Sequence, residues 1–340
     1  MTILLTFDEG YAPHAAVVIE SILEHCKIQL KFVIIYYNLS LETRNLLYNH
    51  YQDRVQAITF IQIEETAFTM FDEIKSCEHI SNPKNVLLRL FLDRVPEDEY
   101  ILYIDCDTII CDNIMNILDF SDDNMVLSAV TEYDALYKTK NISNINNLVF
   151  PISIDPIVYE SYYNRAYKAL EMDYNTKYFC AGVMLINMNK WKSQNIGINC
   201  LNYISNYPQK CYAADQDALN HFINGNYKEL PPRWNSGIGY PLFTMYKDIE
   251  YIESYKNPAI IHTAGRIKPW HYKSGKYIRT LYAKYRKRTP WPQIKYTDKS
   301  LLWDLKVYTK SIIKKFIPYK IVCAIRRYFI DTTFYASARR

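Results

Sequence analysis

Tyr100-Ile-Leu-Tyr-Ile-Asp-Cys-Asp-Thr-Ile-Ile110 is the stretch whose reading decides the fold. Apolar and aromatic residues run straight into Asp105, and Asp107 follows two positions later. Glu97, Asp98 and Glu99 precede the run, and Asp112 and Asn113 follow it. A short apolar run with polar flanks predicts a buried strand. Asp105 and Asp107 then stand at its carboxyl end, where an open α/β sheet binds ligands. Two carboxylates two residues apart leave a strand end together and can share one hard divalent cation through oxygen. An ordinary solvated turn also carries Asp-x-Asp, so the rest of the chain has to decide between the two.

Outward from this stretch, strand and helix patterns alternate. Residues 2–7 read as a strand, 11–23 as a helix with apolar residues three and four apart, and 31–36 as a second strand. Ser40 is placed to cap a helix running to Tyr51, and 57–63 reads as a third strand. A helix over 85–94 leads into the central strand, and 124–130 reads as another strand. Residues 131–178 are polar and rich in Asn and Tyr, which predicts an inserted excursion. Regularity returns with a strand and helix over 180–191, a helix beginning at Asp215 with acids in its first turn, and a late strand over 258–262. This alternation predicts a mostly parallel, doubly wound sheet. No internal repeat is visible.

Composition narrows the class. The chain has 340 residues, 49% hydrophobic and 22% charged, which is ordinary for a globular protein and excludes a disordered or fibrous one. Its 32 tyrosines read as packing residues on amphipathic surfaces. The first residues lack the basic start and long apolar core of a secretory signal, and no apolar run reaches transmembrane length. Eight scattered cysteines show no zinc-like C-x-x-C pair, so reduced thiols in the cytosol are the expectation.

The net charge of +4 conceals a division: residues 1–272 carry −11 and residues 273–340 carry +15. From Leu301 onward, Leu302, Leu305, Ile312, Ile313, Phe316, Ile321, Val322, Ile325 and Phe329 form apolar stripes among seven lysines and arginines, and Pro318 divides the segment into two helices. Basic amphipathic helices suit an anionic membrane surface, where each cation contributes about 1 kcal/mol. The alternative is a helix packed on the body or on a second copy. No RNA-binding signature or zinc motif accompanies the charge, so nucleic acid is not an expected partner. The expected organisation is one α/β unit over 1–271 and a basic helical region over 272–340, in a cytoplasmic protein held peripherally on the inner face of the membrane.

Five motifs then occur in order. They are Phe7-Asp-Glu-Gly-Tyr11, Tyr103-Ile-Asp-Cys-Asp107, Phe179-Cys-Ala-Gly-Val-Met-Leu-Ile-Asn187 with Lys190-Trp191, Asp215-Gln-Asp-Ala-Leu-Asn220, and His262-Thr-Ala-Gly-Arg-Ile-Lys-Pro-Trp-His271. Each is weak alone. Together they closely resemble the family 8 retaining glycosyltransferases, which include bacterial lipopolysaccharide galactosyl- and glucosyltransferases and glycogenin. The resemblance covers about residues 1–271. It implies the Rossmann-like GT-A fold, a UDP-hexose donor (glucose or galactose), a glycan or glycolipid acceptor and Mn²⁺, with Mg²⁺ as a substitute.

The resemblance also assigns roles. Asp105, Asp107 and His262 would hold the metal, since carboxylates with imidazole suit Mn²⁺. Lys268 would stabilise charge on the diphosphate, and Gly265 would let the backbone approach it. Asp8 and Tyr11 would hold the uridine, and Arg89 matches a donor-contacting arginine once a one-residue gap is allowed. Asp215 would bind sugar hydroxyls, and Gln216 would stand near the anomeric carbon. A neutral amide is a poor nucleophile, so same-face attack within an ion pair is favoured over a covalent intermediate. Two departures matter: Gly10 and Cys180 stand where the family commonly has Asn, so a nucleotide contact and a sugar contact are in doubt.

Two other readings compete. Ile104-Asp-Cys-Asp-Thr108 also fits the aspartyl-phosphate phosphatases of haloacid dehalogenase type, with the first Asp as nucleophile. No Gly-Asp-x-x-x-Asp follows it, and the motifs over 179–271 would be unexplained. The other is a non-catalytic, membrane-associated sugar-nucleotide-binding protein that kept the fold. Self-glycosylation on tyrosine, as in glycogenin, is a further variant, although a basic tail favours a lipid-linked acceptor.

Overall fold

Side-chain alternation along the strands builds two layers. In β1 (Thr2–Phe7), Leu4 faces one core while Ile3, Leu5 and Phe7 face the other. β2 (Lys31–Tyr36) and β4 (Tyr100–Ile104) divide in the same way, with Val33, Ile35, Ile101 and Tyr103 on the first side and Phe32, Ile34, Leu102 and Ile104 on the second. The computed structural model describes residues 1–71, 83–96, 98–132, 168–173, 176–211, 213–237, 254, 256–265, 267–301, 305 and 309. The excursion expected over 131–178, apart from its ends, and the basic helices expected beyond Leu301 lie outside the described residues.

The seven-stranded sheet has the order β3-β2-β1-β4-β7-β6-β8. Its other members are β3 (Ala57–Gln62), β6 (Leu127–Thr131), β7 (Phe179–Asn187) and β8 (Tyr227–Glu229). β7 runs antiparallel to both its neighbours, and the remaining pairs are parallel. A second sheet joins β5 (Thr108–Ile110), β10 (Ile260–His262) and β9 (Ser236–Gly237). α1 (Ala12–His25) and α2 (Leu41–Tyr51) cover the second face, α2 being capped by Ser40 Oγ, which accepts from Thr43 N at 3.1 Å. α5 (Ile196–Asn206) and α6 (Asp215–Ile223) cover the first face.

Some elements depart from the sequence expectations. The helix expected over 85–94 is instead a short α3 (Pro83–Leu87) followed by 3₁₀ turns at Leu88–Leu90 and Leu92–Arg94. Leu87, Leu88, Leu90 and Leu92 all enter one core, a spread wider than a single face of a straight α-helix presents. The strand expected from Asn124 begins at Leu127. The sequence reading assigned nothing to 196–206, where Ile196, Cys200, Leu201 and Ile204 make α5 amphipathic. α4 (Met188–Ser193) follows β7 as expected. α7 (Lys276–Arg286) lies against α1, packing Ile278, Tyr282 and Tyr285 with Val17, Ile109 and Ile261. Among the described residues, no helix is long and apolar enough to cross a membrane.

Topology locates the site. From β1 the chain moves outward through β2 to β3, then returns to place β4 on the other side of β1. The order therefore reverses between β1 and β4, and a crevice opens beyond their carboxyl ends. Asp8 follows the end of β1, and Asp105 follows the end of β4.

Candidate active site

Asp105 and Asp107 span the junction between the two sheets, one following β4 and the other preceding β5. β10 pairs antiparallel with β5, and this register puts His262 opposite Thr108. His262 Nε2 consequently lies 3.2 Å from Asp107 Oδ1 and 3.7 Å from Asp105 Oδ2. One ligand atom from each of the three residues falls within 4.8 Å of the others. Two carboxylates and an imidazole at this spacing fit a divalent cation such as Mn²⁺ or Mg²⁺.

The ring of His262 reaches this place because β7 carries Gly182 beside it. Asp105 N donates to Gly182 O at 2.9 Å, so the glycine lies directly against the cluster. On the other side, His262 Nδ1 meets Asn235 Oδ1 at 2.8 Å. Lys268 Nζ donates to Asp107 Oδ2 at 2.5 Å. Burial opposes charge on Asp107 and His262, but pairing prevails: His262 and Lys268 hold the Asp107 carboxyl well below its ordinary range, and Asp107 raises His262 well above its own.

Arg89 ties this cluster to the next. Its Nη2 lies 3.1 Å from Asp105 Oδ1, its Nε lies 2.8 Å from Asp215 Oδ2, and its Nη1 donates to Ala181 O at 2.8 Å. The guanidinium also covers the Tyr103 ring at 4.5 Å. Tyr103, two positions before Asp105 and on the same face, donates its hydroxyl to Asp105 Oδ1 at 2.5 Å. Burial pushes the Asp215 carboxyl up to about 7, with the Asp105 carboxylate adding to the rise and Arg89 opposing it.

The first turn of α6 is fastened to β7 through the polar residues of its motif. Gln216 Oε1 accepts from Ala181 N at 2.9 Å, and its Nε2 donates to Tyr178 OH at 3.2 Å and to Glu132 Oε2 at 3.5 Å. Asn220 bonds both the N–H and the C=O of Phe179, and Asp217 accepts from Tyr178 OH at 2.6 Å. Ala214, just before the helix, has φ +47°, a strained conformation for an L-residue that aims this turn at the sheet.

At the other side of the crevice, Asp8 Oδ1 accepts from Tyr11 N at 3.1 Å and Oδ2 from Asn85 Nδ2 at 2.5 Å. Burial and the carboxylates of Asp107, Asp8 and Asp105 push the Tyr11 phenol up to about 12. Gly265 has φ +111° with nothing within 4 Å of where a Cβ would stand, a conformation that calls for glycine and leaves open space beside the backbone.

The structure thus gathers Asp105, Asp107, His262, Lys268, Arg89, Asp215 and Gln216 around one linked network, with Asp8 and Tyr11 at the neighbouring strand end and Gly265 in the loop after β10. The sequence reading gave no role to Asn85, Tyr103, Glu132, Tyr178, Gly182 or Asn235. Tyr103 had a signal in its period-two spacing from Asp105, and Gly182 lay inside a quoted motif. Asn235 had none. The Cys180 thiol lies beside His262 and Arg89.

Comparison with known proteins agrees on one lineage. Residues 2–274 match the sequence model of "Glycosyl transferase family 8". General stress protein A of Bacillus subtilis is 25% identical over 306 residues, covering 86% of this chain and 96% of that protein. The lipopolysaccharide 1,2-glucosyltransferase of Escherichia coli is 29% identical over 329 residues, 91% of this chain and 85% of that one. Among solved structures, the galactosyltransferase LgtC, crystallised with donor and acceptor sugar analogues, superposes with a TM-score of 0.64 at 19% identity, covering 90% of this chain and all of that one.

Proposed function

The chain belongs to glycosyl transferase family 8 and has a GT-A fold; from that premise we propose that it is a retaining hexosyltransferase moving glucose or galactose from a UDP-sugar to a glycan acceptor. The observation that carries the reading is the Asp105–Asp107–His262 cluster at the crevice, with Lys268 on its rim and the Arg89–Asp215–Gln216 network behind it. A divalent cation bound by those three residues would supply Lewis acidity, offsetting the charge that grows on the departing diphosphate.

The chain's own groups do the rest. Lys268 adds a second positive charge where the diphosphate leaves. Gly265 opens backbone space for the phosphates, and Asp8 and Tyr11 take the uridine at the end of β1. Arg89 holds the Asp105 and Asp215 carboxyls in place and opposes the rise that burial imposes on Asp215, so that Asp215 can hydrogen-bond sugar hydroxyls. The bond from the anomeric carbon to the phosphate oxygen breaks, the acceptor oxygen bonds to that carbon from the same face, and the acceptor's proton passes to the phosphate oxygen. Gln216 steadies the cationic centre from the opposite face. Its carbonyl oxygen accepts from the Ala181 N–H through one lone pair, leaving the other to face the cationic centre and favouring electrostatic support over attack by the amide.

The acceptor is proposed to be lipopolysaccharide or another surface-glycan precursor. The Escherichia coli relative bears such a name, and the basic C-terminal region suits a cytoplasmic enzyme attached to an anionic membrane face. The test is UDP release from UDP-glucose and from UDP-galactose, with and without Mn²⁺, by the wild type and by Asp105→Asn and Asp107→Asn. Metal-dependent release that disappears in both variants is expected, and the better donor names the sugar. Metal-independent release, or UDP binding with no turnover of either donor, would overturn the proposal.

A further inference from the structure

We propose that Asn235 is a positioning residue for His262, setting the imidazole in the tautomer whose Nε2 lone pair faces Asp105 and Asp107. The proposal rests on the metal-site reading above and extends it to a residue with no sequence signature.

A neutral imidazole carries one N–H and one lone pair. Asn235 Oδ1 lies 2.8 Å from His262 Nδ1, and an amide oxygen can only accept. The hydrogen bond is therefore made when Nδ1 carries the proton. In the neutral ring Nε2, 3.2 Å from Asp107 Oδ1 and 3.7 Å from Asp105 Oδ2, is then the lone-pair donor on the side of the carboxylates, whereas the protonated ring that Asp107 favours carries there a second N–H that a cation would displace. Metal-bound histidines generally fix their other N–H in this manner, which orients the ring and raises its basicity.

The amide itself is rigidly placed. Asn235 ends the turn Pro232–Asn235 and immediately precedes β9, which pairs in parallel with β10 so that Gly237 lies opposite His262. Trp234 anchors the turn in the core against Phe120. Arg233 holds it from outside through Asp112 at 2.6 Å and the Asn257 carbonyl at 3.2 Å, and Ala259 N donates to Arg233 O. The amide thus comes from the turn leading into β9 and the imidazole from the end of β10, with Gly182 leaving room for the ring on its other side.

The remaining half of the amide supports the same assignment. Asn235 Nδ2 is buried and has no hydrogen-bond partner among the described residues. An asparagine serving only the fold ordinarily satisfies both ends. Here the oxygen is engaged with His262 and the nitrogen is left over. The neighbouring Cys180 thiol is a weak acceptor and a poor substitute for the amide oxygen.

The experiment measures Mn²⁺ binding to the full-length chain by calorimetry, without donor or turnover. Asn235→Leu and Asn235→Ala are expected to weaken Mn²⁺ binding about 10- to 100-fold. Asn235→Asp, which still accepts from Nδ1–H, should stay within a few-fold of the wild type. Thermal unfolding without metal records which variants are folded, and Ala serves if Leu overpacks the turn. Unchanged affinity in folded Asn235→Leu or Asn235→Ala overturns the proposal, as does an equal loss in Asn235→Asp. Asp107→Asn separates the two levels. If it binds Mn²⁺ like the wild type, the metal-site reading fails; if it loses binding while Asn235→Ala does not, the positioning role alone fails.

Discussion

A methyl group on Gly182 would stand 2.3 Å from His262 Cε1 and 3.0 Å from Asp105 Oδ2. Both groups are held by the fold, so the conflict falls on the cluster. Gly182→Ala is expected to cost about 1–3 kcal/mol of stability through overpacking. It should also abolish metal-dependent UDP release, because the ring and the carboxylate cannot both keep their places. Denaturant unfolding and the release assay check the two effects separately. Arg89 presents the opposite case, a buried cation between two carboxylates. Arg89→Met leaves Asp105 and Asp215 without their shared countercharge and is expected to lower stability by roughly 3–5 kcal/mol, read from the unfolding midpoint. Arg89→Lys keeps the charge but not the fork that reaches Asp105, Asp215 and Ala181 together, so it should recover only part of the loss.

At the level of elements, the loop bearing Lys268 is tied to α1 and α7 by an aromatic stack. The His14 and Trp270 rings lie parallel at 3.5 Å, Tyr11 meets Trp270 edge-on at 5.4 Å, and His14 Nδ1 bonds Tyr282 OH at 2.7 Å. Burial lowers the His14 pKa from 6.5 to about 3, with Arg286 and His271 assisting and Asp107 opposing. The unfolded chain therefore binds a proton at His14 that the folded chain refuses between these limits. The stability contributed by the stack is complete above about pH 6.5 and is lost as pH falls towards 3. Denaturant unfolding above pH 6.5 and between 6.5 and 3 should show this slope, and His14→Phe should flatten it. Sequence periodicity read α1, α2 and the Ser40 cap, but left the amphipathic α5 unassigned. It misread 85–94, because a segment that buries leucines over more than one helical face obeys its surroundings and not a 3.6-residue period.

Across the whole molecule, charge and topology divide the labour. The acidic body carries the crevice at the reversal between β1 and β4, while residues 273–340 carry +15. If that charge serves a membrane, the full-length chain should cosediment with vesicles containing phosphatidylglycerol and not with pure phosphatidylcholine. Release should follow a rise in salt from about 0.1 M to about 1 M, as the screening length falls from about 10 Å to about 3 Å. Equal binding to both vesicle types, or none, would show that the basic region serves another purpose. α7 already lies on α1, with Lys284 and Arg288 on Glu24, so part of the charge is engaged within the body.

The sequence by itself determined the alternation of strands and helices, the apolar run ending in Asp105 and Asp107, and the five ordered motifs that mark family 8. Each of these is written in neighbouring residues with a fixed period or spacing. The tertiary structure alone decided that Arg89 joins Asp105 to Asp215, that Gly182 yields its space to His262, that Asn235 faces the imidazole, and that a three-stranded sheet carries His262 to the two carboxylates. Arg89 meets Ala181 across 92 positions and Lys268 meets Asp107 across 161. Such contacts depend on the register of strands far apart in the chain, and no local pattern carries that register.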